Sequence, residues 1–450
     1  MGSDRRGHVV RRRRRDAPLT VDQPNAALQR RTLRVLTAGQ VVGSAAIGSS
    51  ATVGAYIIQD LLGSATAWAG LGSATVTIGS ATFAHILARH MGRRGRRPGL
   101  AVGYAAATIG AGLTSVGAQV ESLPVVLAGM FLFGAGVASN LLTRFAAVDL
   151  AMPEDRGRSM SRIVFASTFG AVFGPLLVAP AERAGQSWFG LTRYSGPWLL
   201  SMVWFAFAFA NSVIRLRPDP LVVAGGAGGS GPLDAPIRLR AAFSTIAAAP
   251  LARLGLAAMV VSQVVMTSVM TMTPVHLKLH GHEGISAYIV SLHIAGMYAL
   301  SPLVGRYSDQ AGRRRTIVAG ATVLIAANLI GALSGDVELL LFPSLWALGL
   351  GWSFGLIGGS ALLTESVPSE SRVVVQGSAD LLMSLCGGIA GFASGFVRRA
   401  IGFHLLATTA VIATGVLVVA AYTTKRNLEA ASSNSAPAAP VLLHPDPRVG

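Results

Sequence analysis

Charged side chains are scarce in this sequence, and their scarcity limits the classes of protein it can encode. Asp, Glu, Lys and Arg make up 13% of the 450 residues, about half of the roughly 25% usual in soluble proteins. So few charges cannot cover the surface of a water-soluble chain of this length. Cysteine is also scarce. Because Cys386 is the single one, a disulfide framework and a cysteine-based metal cluster are excluded.

What the sequence has instead is a series of long stretches without charge. Each is near or above the ~20 residues that a helix needs to cross a hydrocarbon core. A transmembrane β-barrel would show alternating segments of about ten residues, and these stretches do not alternate. The sequence therefore predicts an all-α membrane protein with twelve transmembrane helices. The stretches are 35–59, 61–88, 98–120, 122–143, 163–181, 194–214, 254–277, 284–305, 316–335, 339–364, 373–397 (interrupted by Asp380) and 400–424.

Basic residues are distributed unevenly between the ends of these stretches. If the stretches alternate in direction, 31 of the 37 Lys and Arg fall on one side. Because basic loops face the cytoplasm, both termini are expected to be cytoplasmic and the protein to lie in the plasma (inner) membrane. The run Arg11–Arg15 is expected to attract anionic lipids. No aromatic residues accompany it for base stacking, so no nucleic acid is expected as a partner.

A Gly/Ser-rich stretch divides the twelve predicted helices six and six. It contains residues 225–232, with the composition of a flexible linker. Six helices on each side predict an internal repeat. The expected organisation is a disordered basic tail (1–33), two pseudo-symmetric six-helix bundles (34–216 and 250–424), a cytoplasmic linker between them (217–249) and a disordered tail (425–450).

The repeat is visible in two pairs of predicted cytoplasmic loops. The loop after the eighth helix contains Gly305, Asp309, Gly312, Arg313 and Arg314, and an offset of 220 aligns it with residues 85–94. At that offset Arg89 stands where the acid belongs, so an asymmetric arrangement is expected. In the other loops six residues separate Asp149 from Arg156, and six separate Glu365 from Arg372.

These motifs resemble signatures of the major facilitator superfamily. Residues 305–314 are similar to its Gly-x-x-x-Asp-x-x-Gly-Arg-Lys/Arg pattern, and the two acid-x6-Arg pairs are similar to its second cytoplasmic signature. The resemblance covers roughly residues 34–424 and specifies no substrate. It implies two six-helix bundles that rock about a central cavity lined by helices 1, 4, 7 and 10.

The motif residues also predict a cytoplasmic gate from their chemistry. Gly305 and Gly312 are expected to allow tight turns and close helix approach. Arg313, Arg314 and Arg372 are expected to pair with Asp309 and Glu365 in a latch that forms in one state and breaks in the other. The alternative is basic charge that only fixes the orientation in the membrane.

The fifth predicted helix contains Gly170, Gly174 and Pro175. They resemble the Gly-x-x-x-Gly-Pro core of the superfamily's antiporter signature, which implies exchange of a drug-like solute for protons. The alternative is a patch of small residues for helix packing, followed by a proline kink.

Two acids are candidates for proton coupling. Asp380 lies eight residues beyond Arg372, about 12 Å into the membrane at the rise of an α-helix. An acid at that depth is costly and is a functional candidate by default, with a structural polar contact as the alternative. Asp60, at the outer end of the first helix, is the second candidate, and its alternative is an interfacial position.

Polar side chains at helical spacing mark candidate faces of a substrate cavity, with hydrogen bonding between helices as the alternative. Arg144 can also reach the membrane surface, attract an anionic substrate or pair with Asp149. The outer loop around His276–His282 is not expected to bind a metal, no cofactor is expected, and His293 is expected to be a satisfied helix contact. The candidate cavity residues are Gln40, Ser44, Asn140, Arg144, Gln263, Thr267, Trp352, Gln376 and Ser384.

The predicted function is secondary active transport by a monomer. We expect a proton-driven exporter of a small organic or drug-like solute, with a proton- or cation-coupled importer of a metabolite as the alternative. An intramembrane enzyme is a distant alternative, because the helices carry no paired metal-binding acids and no Ser/His or His/Glu pairing. An ATP-driven pump would need a Gly-x-x-x-x-Gly-Lys-Ser/Thr loop, and the sequence has none.

Overall fold

The protein is a bundle of long helices, seen in a computed structural model. The structure describes residues 26–63, 66–152, 156–225, 239–335, 337–368 and 371–434, and this part contains no strand. A first group of seven helices forms the N-terminal half. They are α1 (Ala26–Leu62), α2 (Leu71–Arg94), α3 (Arg96–Gln119), α4 (Leu123–Ala146), α5 (Arg156–Leu176), α6 (Val178–Phe189) and α7 (Ser195–Arg215).

Six helices form the C-terminal half, and two short helices, α8 (Pro220–Val223) and α9 (Leu239–Ala248), lie between the halves in the chain. Those of the C-terminal half are α10 (Pro250–Leu279), α11 (Glu283–Tyr298), α12 (Ser301–Ala311), α13 (Arg313–Leu333), α14 (Leu341–Glu365) and α15 (Arg372–Asn434). In the described part of the chain, ten helices are long and apolar enough to cross a membrane, or eleven if the bent pair α5–α6 is one span.

Two of these helices are interrupted, each for a local reason. Pro175 lies in the last turn of α5, where its ring displaces a backbone carbonyl and it offers no N–H; α6 then continues at an angle of 49°. α15 is 63 residues long but has φ 82° and ψ 171° at Gly402. Because these angles are not helical, α15 consists of two helical segments that meet at Gly402.

Each half has its own apolar core. In the N-terminal half the largest fully buried side chains include Tyr104, Phe133, Trp198 and Phe205. In the C-terminal half the main core runs from α10 to α15, and it also takes Ala55 of α1 and Ala69 of the 3-10 turn before α2. The two halves are therefore in direct apolar contact near the ends of α1 and α10.

Glycines of α5 allow it to lie directly against the backbone of α1. A Cβ added to Gly174 would lie 2.6 Å from Ala45 O and 2.9 Å from Ser49 N, and one added to Gly170 would overlap Val41 O. Small residues let helices approach this closely in a membrane. Gly170 and Gly174 thus pack against α1 and Pro175 lies at the bend, as the packing alternative predicts, and these contacts do not test the antiport signature.

The tails and linker differ from the expectation where the structure describes them. α1 already begins at Ala26, because Gln29 donates to Ala147 O at 2.9 Å and Leu33 is buried. α15 continues to Asn434, and the expected linker contains α8 and α9. The expectation of disorder is therefore wrong for 26–33 and 425–434. Residues 1–25, 226–238 and 435–450 lie outside the described part, so that expectation stays untested there.

The tight contact between α1 and α5 predicts a large cost for one methyl group. Gly170→Ala should lower the free energy of unfolding by about 1–3 kcal/mol, because the core of a close contact does not tolerate added atoms. The matched control is Gly415→Ala, at a helical position with no atom within 4 Å of the added Cβ. It should raise stability by roughly 0.5–1 kcal/mol. Thermal unfolding followed by tryptophan fluorescence measures both, and equal effects would contradict the packing described.

Candidate functional site

Two matching turns connect helices at one end of the bundle. α2 ends one residue before Gly95, which has φ 103°, and α12 ends one residue before Gly312, which has φ 91°. Backbone angles of this kind favour glycine. Arg96 begins α3 and Arg313 begins α13, so these two arginines occupy equivalent positions. The predicted offset of 220 is therefore wrong by three residues.

Each of these arginines binds an acid at the end of another long helix. Arg96 donates from Nε and Nη2 to Asp149 at 2.8 and 3.0 Å. Arg313 donates from Nε to Glu365 at 2.9 Å and from Nη1 to Asp309 at 2.5 Å. One alternative paired Asp149 with Arg144. In the structure Asp149 is bound by Arg96 instead. The expected asymmetry is wrong in this respect, since each half forms an Arg–acid pair.

The two pairs hold helices together within one half. Arg96 and Asp149 both belong to the N-terminal half, and Arg313 binds two acids of its own C-terminal half. In this conformation these contacts brace each half and do not bridge between the halves.

The other predicted gate residues are placed differently. Arg314 donates to Ala421 O at 3.5 Å. Gly305 lies inside α12 with no atom within 4 Å of an added Cβ, so the tight turn and close approach expected there are wrong. The side chains of Arg156 and Arg372 lie outside the described part.

At the opposite end of the bundle, ion pairs join the two halves. This end carries the end of α1 and the end of α10, and we call it the outer end, following the charge distribution of the sequence. Lys278 of the C-terminal half donates to Asp60 of the N-terminal half at 2.5 Å and to the hydroxyl of Tyr194 at 2.9 Å. A second ion pair joins Arg193 to Glu283 across the halves.

Aromatic rings shield the first of these ion pairs. The Lys278 ammonium lies 5.1 Å from the ring centre of Tyr56 and 5.0 Å from that of Tyr194. Only 15% of the lysine side chain is exposed, against 51% for Asp60. Ring faces and an ion-pair partner stabilise a desolvated cation more than they stabilise an exposed one. Asp60 is therefore part of a contact that closes the outer end.

A cavity of about 310 Å³ lies between the halves below this contact. Its lining comes from α1, α2, α4 and α7 on one side and from α10 and α11 on the other, and none of the described residues that line it is charged. Four of them are methionines and two are large aromatic residues. The polar, aromatic and methionine residues of the lining are Ser50, Ser73, Thr77, Met130, Phe133, Trp198, Met266, Thr267, Met270, Thr271, His293 and Met297.

Most of the polar residues predicted for the cavity are used in contacts between or within helices. In the N-terminal half, Gln40 donates to Ser167 at 2.8 Å, and Asn140 donates to Ser44 at 3.1 Å while accepting from Tyr104 at 2.9 Å. All three predicted residues are buried. These contacts correspond to the alternative of hydrogen bonding between helices.

In the C-terminal half the predicted residues form a chain that reaches the cavity. Trp352 donates to Gln263 at 2.7 Å, and Gln263 donates to Thr267 at 3.0 Å. Of these three, Thr267 lines the cavity described here. Trp352 and Gln263 thus hold the hydroxyl of Thr267 in place from behind.

Asp380 lies on α15 in the interior of the bundle and is partly buried. The charged group whose field acts on its carboxyl is Arg144 of α4, across the space between the halves. Ser384 is partly buried and Gln376 is exposed. Asp380 and Arg144 belong to opposite halves, and neither is among the residues that line the cavity.

His293 is the residue whose importance the sequence did not reveal. Its Nδ1 bonds Leu345 O at 2.7 Å, but its Nε2 is buried and has no hydrogen-bond partner among the described residues. In and beside the outer loop, His276 stacks 4.5 Å from Phe403 and its ring also contacts His280, whereas His282 contacts Glu338 at 2.7 Å. Among the described residues there is no cluster of three or more His, Cys, Asp or Glu able to hold a metal ion.

Asp149 is more buried than Glu365, so replacing Asp149 should lower the free energy of unfolding by more than replacing Glu365. Asp149→Asn should destabilise the protein by about 3 kcal/mol, because the acid is 8% exposed and its loss leaves the partly buried Arg96 without its counter-charge. Glu365→Gln should cost at most about 1 kcal/mol, because Glu365 is 54% exposed. Thermal unfolding of the two purified variants checks this, and the reverse order would contradict the burial assigned to the pairs.

Known proteins resemble this chain along most of its length. Two relatives from Bacillus subtilis (strain 168) are described as uncharacterized MFS-type transporters: YddS is 35% identical over 88% of this chain and 92% of its own, and YdeG is 37% identical over 82% and 86%. The riboflavin transporter RfnT of Brucella anthropi is 28% identical over 85% of this chain and 92% of its own.

Solved structures share the fold at low sequence identity. The nucleoside transporter NupG has a TM-score of 0.67 at 15% identity, with 88% of this chain and 99% of NupG covered. The human organic anion transporter MFSD10 has a TM-score of 0.61 at 15% identity, with 87% and 99% covered. The family model of the Major Facilitator Superfamily matches residues 36–390 and 282–447. This chain therefore belongs to the Major Facilitator Superfamily of multi-pass membrane transporters.

Proposed function

We propose that the protein is a proton-coupled secondary transporter that exports a small organic solute by alternating access. The observation that carries this proposal is the cavity between the two halves, closed at the outer end by Lys278–Asp60 and Arg193–Glu283. A site between two halves that are tied together at one end is what a rocking mechanism requires.

The helix count supports two bundles of six spans. Counting α5–α6 and α11–α12 as one span each and dividing α15 at Gly402 gives twelve, six in each half. An even number of spans returns the chain to the side on which it started, so both termini are cytoplasmic in this proposal. The excess of basic residues on that side supports the same orientation and a plasma-membrane location. We propose bundles at 34–216 and 250–424, working as one monomer.

Asp380 is the proposed site of proton coupling. A transporter driven by protons needs an acid that gains and loses a proton as the cavity changes its exposure. We assign this role to Asp380 because it is partly buried within a predicted membrane span and Arg144 of the other half acts on the charge of its carboxyl. Protonation of Asp380 removes its attraction to Arg144, which changes the balance between conformations.

Export is proposed on the likeness of Gly170, Gly174 and Pro175 to an antiporter signature. A second candidate is uptake of a metabolite, and the observation in its favour is the relative described as a riboflavin transporter. The direction can be read from right-side-out and everted vesicles of overexpressing cells. Export predicts accumulation of the solute in everted vesicles when the interior is acidified, and uptake predicts accumulation in right-side-out vesicles.

The coupling role of Asp380 gives a prediction for proteoliposomes containing a pH-sensitive dye. Solutes come from a screen of overexpressing and deletion strains, with riboflavin as the first probe. Asp380→Asn, which imitates the protonated acid, should abolish solute-dependent proton flux and leave exchange of labelled for unlabelled solute intact. Glu121→Gln removes an exposed acid from an outer loop and is the control expected to keep both activities. Proton flux that persists in Asp380→Asn would show that Asp380 is not the coupling site.

A further inference from the structure

His293 lines the cavity between the halves, and its hydrogen bond shows which of its two ring nitrogens carries the proton. The carbonyl of Leu345 only accepts hydrogen bonds, so the proton in its 2.7 Å bond with His293 belongs to Nδ1. A neutral imidazole that carries its proton on Nδ1 has a free lone pair on Nε2. His293 therefore presents a hydrogen-bond acceptor on the ring edge opposite Leu345.

This acceptor is buried and without a partner among the described residues. His293 is completely buried, its Nε2 has no hydrogen bond there, and the residue lines the cavity. A buried polar atom left unpaired is costly, so such an atom at a cavity points to a group that arrives from outside. Trp198 Nε1 is also unpaired among the described residues and belongs to the lining, but it is a donor, whereas His293 Nε2 is an acceptor.

The remaining lining defines what kind of molecule fits beside this acceptor. A charged ligand would lose its hydration without gaining an oppositely charged partner, because none of the described lining residues is charged. Met130, Met266, Met270 and Met297 offer flexible, polarizable thioethers, which make favourable contacts with aromatic rings. Trp198 adds a large apolar face. The walls therefore favour an uncharged aromatic molecule.

We propose that His293 Nε2 accepts a hydrogen bond from the transported solute, and that the cavity selects uncharged aromatic molecules that carry an N–H or O–H donor. This inference rests on the proposed transport function, since it takes the cavity as the solute site. His293 determines specificity here: an aromatic molecule without a donor fits the walls but leaves Nε2 unpaired. A site that hydrogen-bonds its solute rejects a molecule that lacks the donor more strongly than an apolar pocket rejects a molecule that lacks one methylene.

Matched ligand pairs test this directly. The probes are indole, carbazole and N-phenyl-1-naphthylamine, each with its N-methyl derivative, and the charged competitor is indole-3-acetate. Binding is measured by equilibrium dialysis with the full chain in lipid nanodiscs, and empty nanodiscs correct for partition into lipid. We expect at least one N–H probe to bind saturably, and about tenfold tighter than its N-methyl form. Indole-3-acetate should bind more weakly than indole.

Two variants separate the hydrogen bond from the size of the methyl group. In His293→Phe the affinities of an N–H probe and its N-methyl derivative should differ by no more than about twofold, because Phe has no hydrogen-bond acceptor. His404→Phe is the matched control, since His404 Nδ1 also bonds a carbonyl, that of Gly331 at 3.2 Å, but His404 is not among the residues that line the cavity. This control should keep the full preference.

Three results with the wild-type protein would overturn the proposal: no probe binds saturably, the N–H and N-methyl probes bind equally, or indole-3-acetate binds more tightly than indole. Two results with the variants would also overturn it. In the first, His293→Phe still prefers the N–H probe; in the second, His404→Phe loses that preference to the same extent as His293→Phe. The wild-type comparison needs no variant, so it decides the matter even if His293→Phe does not fold. Because no gradient is applied, failure here leaves proton coupling and direction untouched, and failure of coupling leaves this binding result standing.

Discussion

The cost of placing charge in hydrocarbon is the constraint on which the rest of this structure depends. It removes charged residues from the spans, puts the arginines at helix ends and requires that those left inside find partners. Arg96 meets this requirement with Asp149, and Lys278 with Asp60 and two tyrosine rings. The first contact holds one half together, and the second holds the two halves to one another.

This constraint also separates the two chemical tasks of the proposed transporter. The cavity below the outer contact has no charged residue in its described lining, and Asp380 and Arg144, from opposite halves, are not among the residues that line it. A solute in the cavity and a proton on Asp380 therefore need not compete for one site. In the proposed mechanism they are linked by the movement of the halves, since both sites include groups from each half.

An all-helical fold with many long apolar helices was predictable from sequence, and the described residues contain ten or eleven candidate spans. The number twelve stays a prediction. The use of individual polar residues was not predictable. Hydropathy is local, so the uncharged stretches correspond to helices. The turn at Gly95 was missed because a glycine can adopt positive φ without having to, and a nearby arginine cluster gave a false alignment. Asn140 was assigned to the cavity because spacing identifies a face but not what it meets. For His293 the sequence suggested a satisfied contact, which holds for Nδ1 and not for Nε2.

The central claim is that the halves rock as units about the cavity, with the outer contact closed in the conformation seen here. Pulsed electron spin resonance on a Cys386→Ser background tests it, with labels at the exposed positions Leu62 and Leu279 at the outer end and Val222 and Tyr307 at the other. In Asp60→Asn, which weakens the outer contact, the account predicts that the 62–279 distance lengthens while the 222–307 distance shortens. If both distances stay unchanged or change in the same direction, the account is contradicted.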